Sequence, residues 1–136
     1  MPAQLNPYLN FKDTTRQAME FYRDVFGGEL TISTFAEFGA PDEGDKVMHS
    51  MLVAPGITFM ASDTPSYMEH APGTNAYSMS LSGDDEGTLR GYFEKLSDGA
   101  TIGQPLTAAP WGDIFGSLTD RFGTPWLVNI TGAAQQ

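Results

Sequence analysis

Twice along this chain, polar and apolar residues alternate with period two, then apolar residues recur at helical spacing, then alternation returns. In the first such stretch, 5–11 (LNPYLNF), Leu9 and Phe11 point one way and Asn6, Tyr8 and Asn10 the other, as in a half-buried strand. Pro7 has no N–H to give a ladder, which places it at an edge or an irregular strand start. Asp13 or Thr14 is positioned to cap a helix. In that helix Ala18, Phe21, Tyr22, Val25 and Phe26 form the apolar stripe, and Gly27-Gly28 stops it. Residues 29–35 (ELTISTF) predict a second strand, and 36–45, with Gly, Pro and four acids, an exposed loop. Strands over 46–54 and 57–63 meet at Pro55-Gly56, a hairpin signal. On the former, Val47, His49, Met51 and Val53 are expected to share one face.

After the two-proline stretch 64–75 the order repeats. A strand is predicted over 76–84 and a helix over 86–97, with Leu89, Tyr92, Phe93 and Leu96 inward and Gly99 at its end. A short strand follows at 100–106, then an aromatic, glycine-rich loop at 109–116 running into SLTD. The final strand, 124–131, follows a Phe122-Gly123 turn. At an offset of 71, Asp13 falls on Asp84, Phe21-Tyr22 on Tyr92-Phe93, Val25 on Leu96 and Gly28 on Gly99. At 67, Gly56 falls on Gly123. Each half therefore reads β-α-β-β-β, a duplicated unit. The expected organisation is a single domain, 1–136, built from modules 5–63 and 76–131 joined by the linker 64–75.

Composition narrows the chemistry. With 136 residues, 40% of them hydrophobic and only 18% charged, the chain can bury a real core and does not resemble a disordered segment. Seven basic against seventeen acidic residues leave a net charge of −10, which repels phosphate backbones and anionic bilayers alike. Neither nucleic acid nor a membrane is an expected partner. Cysteine is absent, which removes disulfides, thiolate catalysis and cysteine metal sites. The first residues, MPAQLNPYLNFKD, carry no basic n-region or apolar h-region, and no apolar run approaches the roughly 20 residues of a membrane helix. A soluble, cytoplasmic protein is expected.

The two βαβββ halves, the D-x7-FY helix near the start and the closing WG-x-x-FG-x-x-x-D-x-FG-x-x-W run (Trp111 to Trp126) resemble the vicinal oxygen chelate superfamily. Glyoxalase I, bleomycin-resistance proteins, fosfomycin-resistance enzymes and extradiol dioxygenases belong to it. The segments NPYLNF, MEFYRDVFGGEL, VMHSML, ITFMASD and PWGDIFGSLTDRFGTPWLVNI are most similar to its PhnB-like branch. The resemblance implies an α+β fold in which the modules form a curved mixed sheet with a concave pocket, the helices lying on the convex side. It also implies a homodimer. It leaves activity open, because one scaffold hosts metal isomerases, transferases, dioxygenases and metal-free binders. PhnB-like members often carry the name demethylubiquinone methyltransferase, but this sequence has no G-x-G strand-to-helix turn to support it.

Metal-dependent members carry His or Glu on the first and fourth strands of each half. Those positions fall here on Asn6 and Ser78 (Tyr77 if the register slips by one) and on Met60 and Leu127. A thioether is a soft ligand, Leu is none, and amide and hydroxyl oxygens are weak ones, so no metal and no other cofactor is expected. His49 is the candidate general base if its face is the concave one; otherwise it is a hydrogen-bonded strand residue. The acidic pairs Asp42-Glu43 and Asp84-Asp85 read as loop and cap residues. Trp111, between Pro110 and Gly112, and Phe115 are candidates for a pocket wall, whereas Phe122 and Trp126 read as packed. The expected ligand-binding set is Asn6, Tyr8, Asn10, His49, Met60, Ser78, Trp111 and Phe115. The expected function is metal-independent binding of a small molecule, neutral and partly aromatic or carbonyl-bearing. The alternatives are an antibiotic-sequestering binder like the bleomycin-resistance proteins and a divalent-metal glyoxalase, dioxygenase or transferase.

Overall fold

Pro7 sets where the first strand begins. Its carbonyl accepts from the Met60 N–H at 3.0 Å, but with no N–H of its own it cannot continue the ladder, and β1 runs only over Tyr8–Phe11. In the computed structural model, which describes residues 3–39, 43–66, 68–70 and 77–132, the chain divides into two compact units, Met1–Pro72 and Gly73–Gln136. Half of the expected linker 64–75, residues 67 and 71–75, lies outside the described residues.

The first unit continues with α1 (Thr15–Phe26), β2 (Glu29–Thr34), β3 (Val47–Ala54) and β4 (Ile57–Asp63), in a sheet ordered β1-β4-β3-β2. β1 and β4 pair in parallel and the other neighbours antiparallel. The second unit repeats this with β5 (Met79–Gly83), α2 (Glu86–Leu96), β6 (Thr101–Ala108), β7 (Ile114–Thr119) and β8 (Pro125–Ile130), ordered β5-β8-β7-β6. Phe11 pairs with Asp63 and Gly83 with Ile130, so β5 and β8 stand in the same register as β1 and β4. The fold is α+β, two α-helices, one short 3-10 turn at Ala36–Phe38 in the expected loop 36–45, and two mixed four-stranded sheets among the described residues. No helix among them is long and apolar enough to cross a membrane.

Each helix covers one face of its own sheet. Ala18, Met19, Tyr22, Val25 and Phe26 of α1 are buried with Leu52, Phe59 and Ala61 of the strands. The Tyr22 and Phe26 rings meet Phe59 edge-on, at centroid distances of 5.5 and 6.4 Å. In the second unit Leu89, Phe93 and Leu96 of α2 are buried with Ile114, Leu118, Trp126, Val128 and Ile130. Phe21 and Tyr92, expected to face inward, are only half-buried. Met19 takes an inward position that the aromatic pattern obscured.

Neither expected cap on α1 operates. Asp13 takes a left-handed conformation (φ 65) and pairs with Lys46 at 3.1 Å, while Thr14, at the cap position, makes no side-chain capping bond. Asp63, the last residue of β4, does the work instead: it accepts from Thr15 N at 3.1 Å and Val47 N at 2.8 Å. In the second unit the matching position is Ile130, and Asp85 caps α2 directly by accepting from Thr88 N.

The expected loop 109–116 is mostly strand and hairpin. Gly116, read as a loop signal, lies inside β7, where a Cβ would meet Leu106, the Gln104 carbonyl and the Phe93 ring within 3.0 Å. The ladder between β2 and β3 shifts after Ser33, which pairs with His49, so that Thr34 pairs with Val47. Met48 is the extra residue of this bulge. Val47 consequently leaves the His49–Met51–Val53 face and is 1% exposed.

Candidate functional site

Strand alternation sorts the chemistry of the first unit. Ser50, Leu52, Phe59 and Ala61 are buried on the helix side, so the residues between them look the other way. The helix-free face therefore carries Tyr8 and Asn10 of β1, His49 and Met51 of β3, and Met60 and Ser62 of β4. Tyr8 pairs across the ladder with Met60, Asn10 with Ser62 and Met51 with Met60. The Tyr8 hydroxyl stands 3.5 Å from His49 Nδ1, with ring centroids 6.0 Å apart and tilted by 39°. Ser62 donates to Asn10 Oδ1 at 3.4 Å. Tyr8 is 44% exposed and His49 half-buried. Asn6 precedes β1 by two residues and Ser78 precedes β5 by one, so both lie just outside the strands on which they were expected.

The second unit presents a different helix-free face. Ser80, Ser82, Leu127, Asn129, Phe115 and Ser117 alternate with buried Trp126, Val128, Gly116 and Leu118. Between β6 and β7 the chain reverses through Pro110-Trp111-Gly112. Ala109 N–H donates to the Asp113 carbonyl at 2.8 Å and Gly112 N–H to the Ala109 carbonyl at 3.1 Å. Gly112 takes φ 94, the left-handed residue a three-residue hairpin requires. Trp111, at the tip and 59% exposed, meets the Phe115 ring edge-on at 6.0 Å. Its Nε1–H donates to Asn129 Oδ1 at a long 3.4 Å. The amide of Asn129 donates in turn to Asp113 Oδ2 at 2.9 Å, and Gly132 N–H to Asp113 Oδ1 at 2.7 Å. These bonds hold the Asp113 carboxyl below its ordinary value of 3.8, the Asn129 amide first and the Gly132 N–H next, against the opposing cost of desolvation, with a smaller lowering from the Trp111 indole itself.

The hairpin brings Trp111 and Phe115, both expected at a pocket wall, together with Asp113 and Asn129, which the sequence reading did not single out. The available signal was the 67-residue offset, which sets Asn129 on Ser62, both on helix-free faces. The carboxylate of the D-x-FG-x-x-W motif turned out to be structural. Asp120 is buried and accepts from Phe122 N, Thr124 N and Trp126 Nε1 at 2.8–3.0 Å. Glu43 and Asp85 behave as loop and cap residues, Glu43 tying Ser66 by two bonds of 2.6 Å; Asp42 lies outside the described residues. His70 lies beyond β4, with Nδ1 3.0 Å from Thr64 Oγ1.

Met60 and Leu127 occupy matching helix-free positions on β4 and β8. The first unit offers a thioether and an amide at these positions (Met60, Asn6), the second a hydroxyl alone (Ser78, with Leu127). Neither donor set fits a hard divalent cation. Among the described residues no three His, Asp or Glu side chains cluster so as to hold a metal ion.

Two βαβββ units of this order define the vicinal oxygen chelate fold. A glyoxylase/bleomycin resistance protein/dioxygenase domain from Frankia sp. EAN1pec shares that fold with a TM-score of 0.65 at 15% identity, over 96% of this chain and 98% of that one. Within the superfamily, residues 3–129 match the model of the 3-demethylubiquinone-9 3-methyltransferase family, and the chain belongs to that PhnB-like family. Protein PA1353 from Pseudomonas aeruginosa is 33% identical, with a TM-score of 0.82 over 95% of this chain and 98% of that one. A Bacillus cereus PhnB protein, titled a putative 3-demethylubiquinone-9 3-methyltransferase, is 27% identical with a TM-score of 0.78, over 95% of this chain and 100% of that one. Protein YjdN of Escherichia coli (strain K12) is 26% identical over 93% of this chain and 94% of its own.

Proposed function

We propose that this PhnB-like protein binds a small, neutral, partly aromatic or carbonyl-bearing molecule without a metal ion. Its contact surface on the first unit is the helix-free sheet face at Tyr8, Asn10, His49 and Met60. The observation that carries this reading is the Tyr8–His49 pair, two polar tips 3.5 Å apart on a face that no helix covers. Sealed dry, such groups would cost about 1–3 kcal/mol for each one left unsatisfied. Hydroxyl, amide, imidazole and thioether side by side suit a ligand with both apolar surface and a hydrogen-bonding oxygen. His49 is the candidate general base on that face. Methyl transfer is not part of the proposal, since the sequence holds no G-x-G turn for a nucleotide cofactor.

A thermal-shift screen of small aromatic carbonyl compounds tests the reading, run on protein before and after chelator treatment with its metal content measured. The expected result is stabilisation by a ligand that survives the chelator and is weakened strongly by Tyr8→Ala or Asn10→Leu, with folding unchanged. A full equivalent of Zn, Ni or Mn whose removal abolishes binding would overturn it in favour of a metalloenzyme. One observation favours a second reading, an antibiotic-sequestering binder: a net charge of −10 accompanies the exposed Trp111, a surface suited to an aromatic cation. Stabilisation by cationic antibiotics alone would select it.

A further inference from the structure

Trp111 is exposed, yet it is not free to swing. Its backbone is set by the Pro110-Trp111-Gly112 hairpin, its ring rests on Phe115, and its N–H ends a chain of hydrogen bonds in which every member has a single allowed role. Asp113, ionised, can only accept; it takes the Gly132 N–H on one oxygen and the Asn129 NH2 on the other, and the Trp111 indole adds a weaker direct pull. With its nitrogen end committed to Asp113, Asn129 must turn its oxygen toward the indole, which can only donate.

We propose that Asp113 is a positioning residue: through the amide of Asn129 it fixes the Trp111 indole against Phe115, making the open indole face a stacking shelf for a flat aromatic ring. The ligand class rests on the small-molecule reading above; the positioning does not. With its N–H engaged, the indole offers a π-face and no spare donor, so flat rings gain from it whatever polar groups they carry. The neighbouring carboxylate and the net charge of −10 favour neutral or cationic rings over anions.

The test exchanges the two partners. In Asp113→Asn the new amide can still accept from Gly132, but it turns a donor toward Asn129, whose amide must flip and set its own donors against the indole N–H. Hydrogen exchange of the Trp111 indole N–H, assigned by its loss in Trp111→Phe, should accelerate roughly fivefold, the worth of one hydrogen bond. The indole N–H of Trp126, buried and bonded to Asp120, is the internal control and should not move. The exchanged pair D113N/N129D restores an acceptor for both donors and should return Trp111 to slow exchange. Asn129→Leu, which leaves Asp113 bonded to Gly132, should accelerate exchange as Asp113→Asn does. Unchanged exchange in D113N and Asn129→Leu, or no recovery in the exchanged pair, overturns the positioning. Proflavine, a flat aromatic cation, probes the shelf: its binding should weaken several-fold in Trp111→Ala and D113N and return in the exchanged pair. No proflavine binding to the wild-type protein, with the exchange pattern as expected, overturns the shelf and leaves the positioning standing.

Discussion

Asp120 holds three donors with one carboxylate: the N–H groups of Phe122 and Thr124 and the indole of buried Trp126. Its backbone closes the same turn, donating to the Thr124 carbonyl and accepting from Gly123 N–H. Removing it strands donors that water reaches poorly, at about 1–3 kcal/mol for each. Asp120→Ala should therefore lower unfolding free energy by roughly 3–5 kcal/mol, a large loss for a single substitution, measured by urea denaturation. Asp120→Asn should lose less, because its amide oxygen can still accept. The sequence displayed this residue as part of a motif but not its task, since a motif Asp between a strand and a turn can face a ligand as well as a turn. Asp113 and Asn129 were harder still. They are separated by 16 residues, and only the β7–β8 register that pairs Phe115 with Asn129 brings them together.

Element boundaries followed the pattern wherever the controlling interaction was local, and departed where it was not. β4 runs over Ile57–Asp63, the span the alternation predicts. The N-terminus of α1 is capped by Asp63 from 48 residues away, which no reading of Asp13 and Thr14 could anticipate. Asp63→Ala should therefore loosen two elements at once, α1 and the start of β3. Amide exchange at Thr15 and Val47 should accelerate together. Glycine misled in the opposite sense. Gly116 resembles a loop residue and is a packing residue, so Gly116→Ala should cost about 1–3 kcal/mol from overpacking against Leu106 and Phe93. Gly28 is the more extreme case: it takes φ 90, and a Cβ there would collide with the Val53 carbonyl. Gly28→Ala is expected to unfold more readily than Gly116→Ala in the same denaturant series, because backbone strain adds to the collision.

Duplication is the organising fact of the whole molecule, and it makes corresponding surfaces comparable. The registers of β1 with β4 and of β5 with β8 place Leu5 and Tyr77 at the same point of their units, three residues ahead of Tyr8 and Ser80. Leu5 is 96% exposed and Tyr77 86%. Single exposed apolar residues are ordinary, but a large one recurs at the same place in each unit, beside that unit's own edge strand, β1 or β5, and each such spot would gain from being covered. The superfamily resemblance implies a homodimer, and a second copy of this chain is the cover we expect. Light scattering at micromolar concentration should give twice the chain mass. Leu5→Lys and Tyr77→Lys, each of which adds a charge at an already exposed position, should shift the protein toward monomer while leaving its unfolding free energy at the dilution limit within about 0.5 kcal/mol. A wild-type monomer at that concentration would refute the dimer. A dimer indifferent to both substitutions would refute these spots as its interface.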